Sequence, residues 1–85
     1  MTTLKPGESF WADYKAGGKT WRLIVEQEVE SVLLTVEALA SAEVRITGRA
    51  ATVEGGQRKL IEAAEAILGP ATEKVTWEFT SARAL

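Results

Sequence analysis

The sequence of 85 residues contains no cysteine and no histidine, and both absences restrict its chemistry. Without cysteine there is no disulfide bond, no thiolate nucleophile and no zinc site of the usual kind. Without histidine, the chain lacks the side chain that most often transfers protons near pH 7. The remaining acid–base groups include Tyr14 and a single aspartate, Asp13, and none stands in a recognisable catalytic spacing. We therefore expect a protein that is not an enzyme, with no catalytic residue, no metal site and no cofactor.

Long apolar runs are also absent. The first residues, MTTLKPGESFW, lack the apolar centre of a signal peptide. No run approaches the ~20 apolar residues that a membrane-spanning helix needs. The sequence therefore predicts no membrane partner and a soluble protein of the cytoplasm. Its length, with 46% hydrophobic and 26% charged residues, predicts one small domain over residues 1–85.

Glycine and proline are few, so each one marks a candidate turn. Gly17 and Gly18 separate two runs that favour β-structure, residues 8–15 and 19–26. Glycine readily adopts the positive φ of tight turns, so this pattern predicts a β-hairpin. The last strand is predicted within residues 73–81, where Val75, Trp77 and Phe79 alternate with polar residues.

An amphipathic helix is predicted over residues 56–68. Its apolar residues recur at helical spacing and are Leu60, Ile61, Ala64, Ile67 and Leu68. Gly69 suits the left-handed position after the last turn, and Pro70 cannot continue the helix. This is the clearest element that the sequence predicts.

Residues 27–41 fit two interpretations. As a helix, they place most of their large apolar residues on one stripe; as a strand, Val32, Leu34 and Val36 share a face. The segment has no glycine, proline, asparagine or aspartate with which to turn, and this absence favours the helix. Residues 43–47 and 50–54 are then predicted as two short strands that turn at Gly48 and Arg49.

Both interpretations give an α+β fold, with an antiparallel sheet of about four to five strands and one or two helices on one face. The helical interpretation gives the β-α-β-β-α-β order of ferredoxin-like proteins, preceded by an extra strand. The alternative is a curved antiparallel meander that carries one helix. Fold class alone does not identify a function.

The first candidate site is an anion-binding site where the predicted helix begins. Gly55 and Gly56 precede that helix, and Arg58 and Lys59 lie in its predicted first turn. Free N–H groups at a helix N-terminus attract anions, and Arg49 is a further cation that could reach this patch. The alternative interpretation is an ordinary turn whose bases bridge to Glu62 on the helix surface.

The second candidate site is aromatic and basic. Trp11 lies among Lys15, Lys19 and Arg22 in the predicted hairpin. Aromatic rings beside bases can stack against single-stranded nucleic acid. All six aromatic residues fall within residues 10–21 and 77–79, however, so the alternative is that their rings form a core between neighbouring strands.

The third candidate site is acidic and would contact a protein partner. It comprises five glutamates within residues 26–43, where no base occurs: Glu26, Glu28, Glu30, Glu37 and Glu43. The alternative is a solvated face that keeps a small protein in solution. From these features we expect a non-enzymatic module that binds another protein as a regulator or inhibitor, with a homodimer as a further arrangement. The alternative function is binding of an anion or a nucleic acid.

Overall fold

The computed structural model describes residues 4–41 and 43–81, which form a five-stranded antiparallel sheet with one helix packed on it. The strands are β1 (Ser9–Ala16), β2 (Lys19–Gln27), β3 (Val32–Ala38), β4 (Val44–Ala50) and β5 (Glu78–Thr80), and the helix is α1 (Val53–Leu68). Their order across the sheet is β4-β3-β2-β1-β5. The first four strands therefore follow chain order, and β5 joins the opposite edge beside β1. The α+β class and the strand number are confirmed.

The predicted hairpin of β1 and β2 is present. Gly17 and Gly18 form its turn with φ of 59° and 76°, a backbone region that residues other than glycine rarely adopt. From this turn the strands pair from Ala16 with Lys19 to Ser9 with Glu26. This register places the buried side chains of the two strands on the same face of the sheet.

One face of the sheet, here called the inner face, packs against α1. Its buried residues come from three strands of the meander and are Ala12, Tyr14, Ala16, Trp21, Leu23, Val25, Val32, Leu34 and Val36. The helix contributes a buried stripe at helical spacing, consisting of Val53, Gly56, Leu60 and Ala64. A Cβ atom on Gly56 would lie 2.8 Å from Leu34 Cδ2, so the glycine allows the helix to approach the sheet closely. Each buried leucine of this core stabilises the fold by roughly 1.5–3 kcal/mol.

The predicted helix over residues 27–41 is wrong, and with it the ferredoxin-like order. This segment contains β3, so the chain follows the alternative of a meander with one helix. Two apolar residues that extended the helical stripe lie outside the core: Val29 is 84% exposed and Leu39 is 44% exposed. Instead, Leu34 pairs with Val25 and Val36 pairs with Leu23. These cross-strand pairs stabilise the segment as a strand, in which alternate residues are buried.

The turn from β2 to β3 forms without glycine or proline. The Glu28 backbone N–H donates to the Ser31 carbonyl at 2.8 Å and closes the turn. The Gln27 side-chain amide donates to the carbonyl oxygens of Glu28, at 2.8 Å, and Ser31, at 3.3 Å. These side-chain bonds replace the turn residues that the sequence lacks.

The prediction of two strands over 43–47 and 50–54 is also wrong. A single strand, β4, runs through Gly48, which pairs with Leu34. The helix then begins at Val53, three residues earlier than predicted, because the Thr52 side chain caps it by accepting the Gly55 N–H at 3.1 Å. The predicted helix end at Leu68 is confirmed, with Gly69 at φ 94°.

The C-terminal segment pairs with β1 as the distribution of aromatic residues predicted. Only Glu78–Thr80 form a strand, shorter than the predicted segment, and Phe10 packs edge-on against Phe79 at a centroid distance of 5.9 Å. Tyr14 and Trp21 are buried in the core, Trp77 is half-buried against it, and Phe79 is 52% exposed. Within the described residues, no helix combines the length and apolar character needed to cross a bilayer.

Candidate functional site

The outer face of the sheet carries most of the predicted aromatic and basic site. Strand register places Trp11 beside Ile24 and Asp13 beside Arg22 on this face. The Arg22 guanidinium lies over the Trp11 ring at 4.3 Å and forms a salt bridge with Asp13 at 3.3 Å. The Trp11 indole N–H donates to Thr80 Oγ1 at 2.9 Å. The Arg22 guanidinium therefore occupies a face of this ring on which a nucleic-acid base would stack.

The two lysines of the same predicted site lie at the hairpin turn. The Lys15 ammonium forms a salt bridge with Glu73 at 3.1 Å, and both side chains are solvent-exposed. Lys19 begins β2 and is exposed. Trp11 and Arg22 thus form one cluster on the outer face, whereas Lys19, which pairs with Ala16, lies on the side of the inner face.

The structure separates the predicted anion site into two parts. Gly55 and Gly56 lie inside the first turn of α1, where Thr52 already accepts an N–H group and Glu54 supplies a negative charge. Arg58 and Lys59 lie one turn further on and are exposed. These residues therefore do not surround an open helix N-terminus.

Arg49, the remaining member of that site, lies on the neighbouring strand. Its guanidinium bonds the Glu28 carboxylate and the Ser31 hydroxyl, the latter at 3.0 Å. The Lys59 ammonium donates to the Arg49 backbone carbonyl at 3.2 Å. Arg49 and Lys59 thus meet at the edge of β4 rather than around the glycines, while Arg58 remains exposed on the helix.

The predicted acidic site is divided between several locations. Glu26 and Glu37 lie on the outer face, while Glu28 is paired with Arg49. Glu30 is exposed in the turn between β2 and β3, and Glu43 is exposed just before β4. Among the described residues, no three carboxylates are close enough to hold a metal ion.

The outer edge of β4 was not singled out by the sequence. Among the residues that the structure describes, β3 is the only strand that pairs with β4. Backbone groups of an antiparallel strand alternate in direction. The Arg49 carbonyl bonds Lys59, which places Arg49, and by alternation Thr47, among the residues whose backbone groups face away from β3. The edge strand therefore offers unpaired backbone donors and acceptors.

One side of α1 faces this edge. Helical spacing places Lys59, Ala63 and Ile67 along the side of α1 that faces β4, and Ile46 lies on the inner face of the strand. Ile67 is 58% exposed. β4 is thus open on one side and has an exposed isoleucine beside it. The sequence could indicate this combination only once β4 had been assigned as the edge strand.

A concavity of about 470 Å³ lies at the end of the sheet between the β1–β2 and β3–β4 turns. Trp21 and Leu39 provide apolar walls, and Lys19 and Glu43 provide one charge of each sign. The Arg45 guanidinium lies 6.0 Å from the centre of the Trp21 ring. This mixed lining does not define one class of ligand.

The pKa of Tyr14 is raised above its ordinary value. Burial raises the pKa of its phenol, the negative charge of Glu65 raises it further, and the backbone of Ala71 opposes them. The hydroxyl donates to the Gly69 carbonyl at 2.6 Å. Tyr14 therefore ties the end of α1 to β1.

Comparison with models of known protein families, with curated proteins and with solved structures gives no match. Function is therefore inferred from the local geometry alone. Of the two edge strands, β4 has seven residues and β5 has three, so the β4 edge offers the longer row of backbone groups that no described strand pairs with.

Proposed function

We propose that this protein is a non-enzymatic interaction module that binds another protein by adding a partner strand to the outer edge of β4. The observation that carries the proposal is the seven-residue strand Val44–Ala50, which pairs on one side with β3 and carries no described strand on the other. Strand addition is a common way to recognise an extended segment, because the backbone supplies the hydrogen bonds. Such binding suits a regulator or inhibitor of the partner.

The energetics of strand addition predict modest affinity. An intramolecular hydrogen bond contributes about 0.5–1.5 kcal/mol net, so a few bonds formed along one edge give only modest affinity. Natural proteins commonly protect exposed edges with charged side chains or bulges. β4 has a register shift near Val36 and Glu37 at one end and Lys59 at the other, while Thr47 lies open between them. The centre of the strand is thus the accessible part.

A proline at Thr47 tests strand addition directly. Thr47→Pro removes a backbone N–H that faces away from β3, so it deletes an edge donor while leaving the β3 ladder intact. Thr47→Ala is the matched control because it shortens the side chain and keeps the N–H. We expect a partner captured by the wild type to be retained by Thr47→Ala and lost by Thr47→Pro, in parallel pull-downs with amide NMR spectra confirming both folds.

The same NMR spectra test the alternative function. A true partner should shift the amides of Thr47 and Arg49. Equal capture by Thr47→Pro and the wild type would contradict strand addition. A mixed-sequence single-stranded oligonucleotide that shifts the amides of Gly55 to Lys59, with reversal on adding salt, would favour nucleic-acid binding instead.

A further inference from the structure

Two cations lie beside the β4 edge, on the side of the sheet that carries α1. Lys59 lies at the Arg49 end through its bond to the Arg49 carbonyl, and Arg45 lies near the other end over Trp21. Among the described residues, neither forms a salt bridge with a carboxylate. Arg49, by contrast, is held by Glu28 on the outer face. The side chains of Arg45 and Lys59 are therefore available to pair with carboxylates of a partner.

The surface between these cations is apolar. Ile46 and Ala63 are half-buried, and Ile67 is largely exposed. A strand added to β4 would place every second side chain over this surface. An apolar side chain at the central position would cover Ile67 and remove it from water.

A second copy of this chain provides poor charge complementarity. Arginine is the only charged residue type within the seven residues of β4, at positions 45 and 49. An antiparallel pair of β4 strands centred on Thr47 would place Arg45 of each copy opposite Arg49 of the other. Like charges directly opposite each other destabilise paired strands. The edge is better matched by an acidic partner than by itself.

We infer that the β4 edge takes an extended acidic segment, with two carboxylates four residues apart and an apolar side chain midway between them. This inference rests on the proposed strand addition. Four residues of extended chain span about 13 Å, which matches the distance along β4 from Arg45 to Arg49, where Lys59 is anchored. On binding, a partner N–H replaces Lys59 at the Arg49 carbonyl, and the released ammonium contacts a partner carboxylate.

Synthetic peptides with blocked ends provide the probe. The test peptide contains the core Glu-Thr-Val-Thr-Glu, and its control contains Lys-Thr-Val-Thr-Lys. Titrations at low salt, followed by the amides of Thr47 and Arg49, should show about tenfold tighter binding of the acidic peptide, because two exposed charge pairs change from attraction to repulsion. The double variant Arg45→Glu/Lys59→Glu should reverse this preference. Arg58→Glu, which changes a cation on the solvent side of the helix, should leave most of it unchanged.

The possible failures separate this inference from the proposed function. If both peptides bind equally and Thr47→Pro abolishes both, strand addition stands and the acidic preference is wrong. If the acidic peptide binds Thr47→Pro as tightly as the wild type, the charge preference does not arise from strand addition and both are wrong. Failure of either peptide to shift the Thr47 and Arg49 amides at millimolar concentration would also overturn both. Concentration-dependent shifts of these amides without peptide would instead identify a second copy as the occupant.

Discussion

Among single residues, Tyr14 provides the most direct bond between the sheet and the end of the helix. Its ring is fully buried and its hydroxyl donates to the Gly69 carbonyl at 2.6 Å. Tyr14→Phe keeps the ring and leaves that carbonyl without its partner, so we expect the free energy of unfolding to fall by about 1–2 kcal/mol. Urea unfolding followed by circular dichroism measures the loss. An unchanged midpoint would show that water replaces the hydroxyl at no cost.

The same residue makes stability depend on pH in the alkaline range. The pKa of Tyr14 is raised above its ordinary value of 10.0 in the folded protein, so the unfolded chain releases this proton first. The free energy of unfolding should therefore decrease as the pH rises above about 10. Tyr14→Phe should have a shallower decrease than the wild type, and the difference isolates Tyr14 from the lysines that titrate in the same range.

Gly56 is a second residue whose identity follows from packing. A methyl group there would lie 2.8 Å from Leu34 Cδ2. Gly56→Ala gains up to about 1 kcal/mol in helix propensity, but overpacking of a core costs typically 1–3 kcal/mol. We expect net destabilisation by about 1 kcal/mol in chemical denaturation.

A double-mutant cycle checks the cause of that effect. Leu34→Val removes the atom that an alanine at position 56 would contact, so Gly56→Ala should be less destabilising in that background. Additive effects of the two substitutions would show that the contact with Leu34 does not limit the approach of the helix.

At the scale of elements, the sequence predicts the hairpin and the helix well because their signals are local. The turn at Gly17 and Gly18 and the end at Gly69 require only the neighbouring residues. Residues 27–41 are different, since Val29 and Leu39 complete a helical stripe in the sequence although both are exposed. Only pairing with β2, most of which lies outside this segment, distinguishes the strand from the helix.

The residues of the candidate sites could be identified from the sequence, because their types are local information. Which of them meet in the fold could not be predicted. The glycines at 55 and 56 appeared to precede the helix because glycine disfavours helical structure, and the cap at Thr52 places them inside it. The edge of β4 depends on which strand is outermost, and no pattern within residues 44–50 specifies that position.

The helix cap provides a test at the element scale. Thr52→Ala removes the oxygen that accepts the Gly55 N–H at 3.1 Å and should reduce the free energy of unfolding by about 1 kcal/mol. Thr52→Ser retains an accepting hydroxyl and should stay close to the wild type in the same denaturant titration. Equal losses in both variants would attribute the effect to the threonine methyl group rather than to the cap.

At the scale of the whole molecule, Lys59 is expected to keep the protein from associating through its edge. Its ammonium occupies the Arg49 carbonyl, and charged side chains beside an edge oppose pairing with another chain. Lys59→Met should release this acceptor and increase self-association at high concentration, as measured by sedimentation velocity. Arg58→Met removes the same charge one residue away and should remain closer to the wild type. Equal self-association of the two variants would mean that net charge alone, and not the bond to the Arg49 carbonyl, controls self-association.

The position of β5 also has a mechanical consequence. Ser9, where β1 begins, pairs with Thr80, where β5 ends, so these two points lie side by side at one end of the sheet. A force that draws them apart loads the hydrogen bonds of β5 one after another, as in opening a zipper, instead of loading all of them together. Tension passing through this protein would therefore peel β5 from β1 first, before the meander resists.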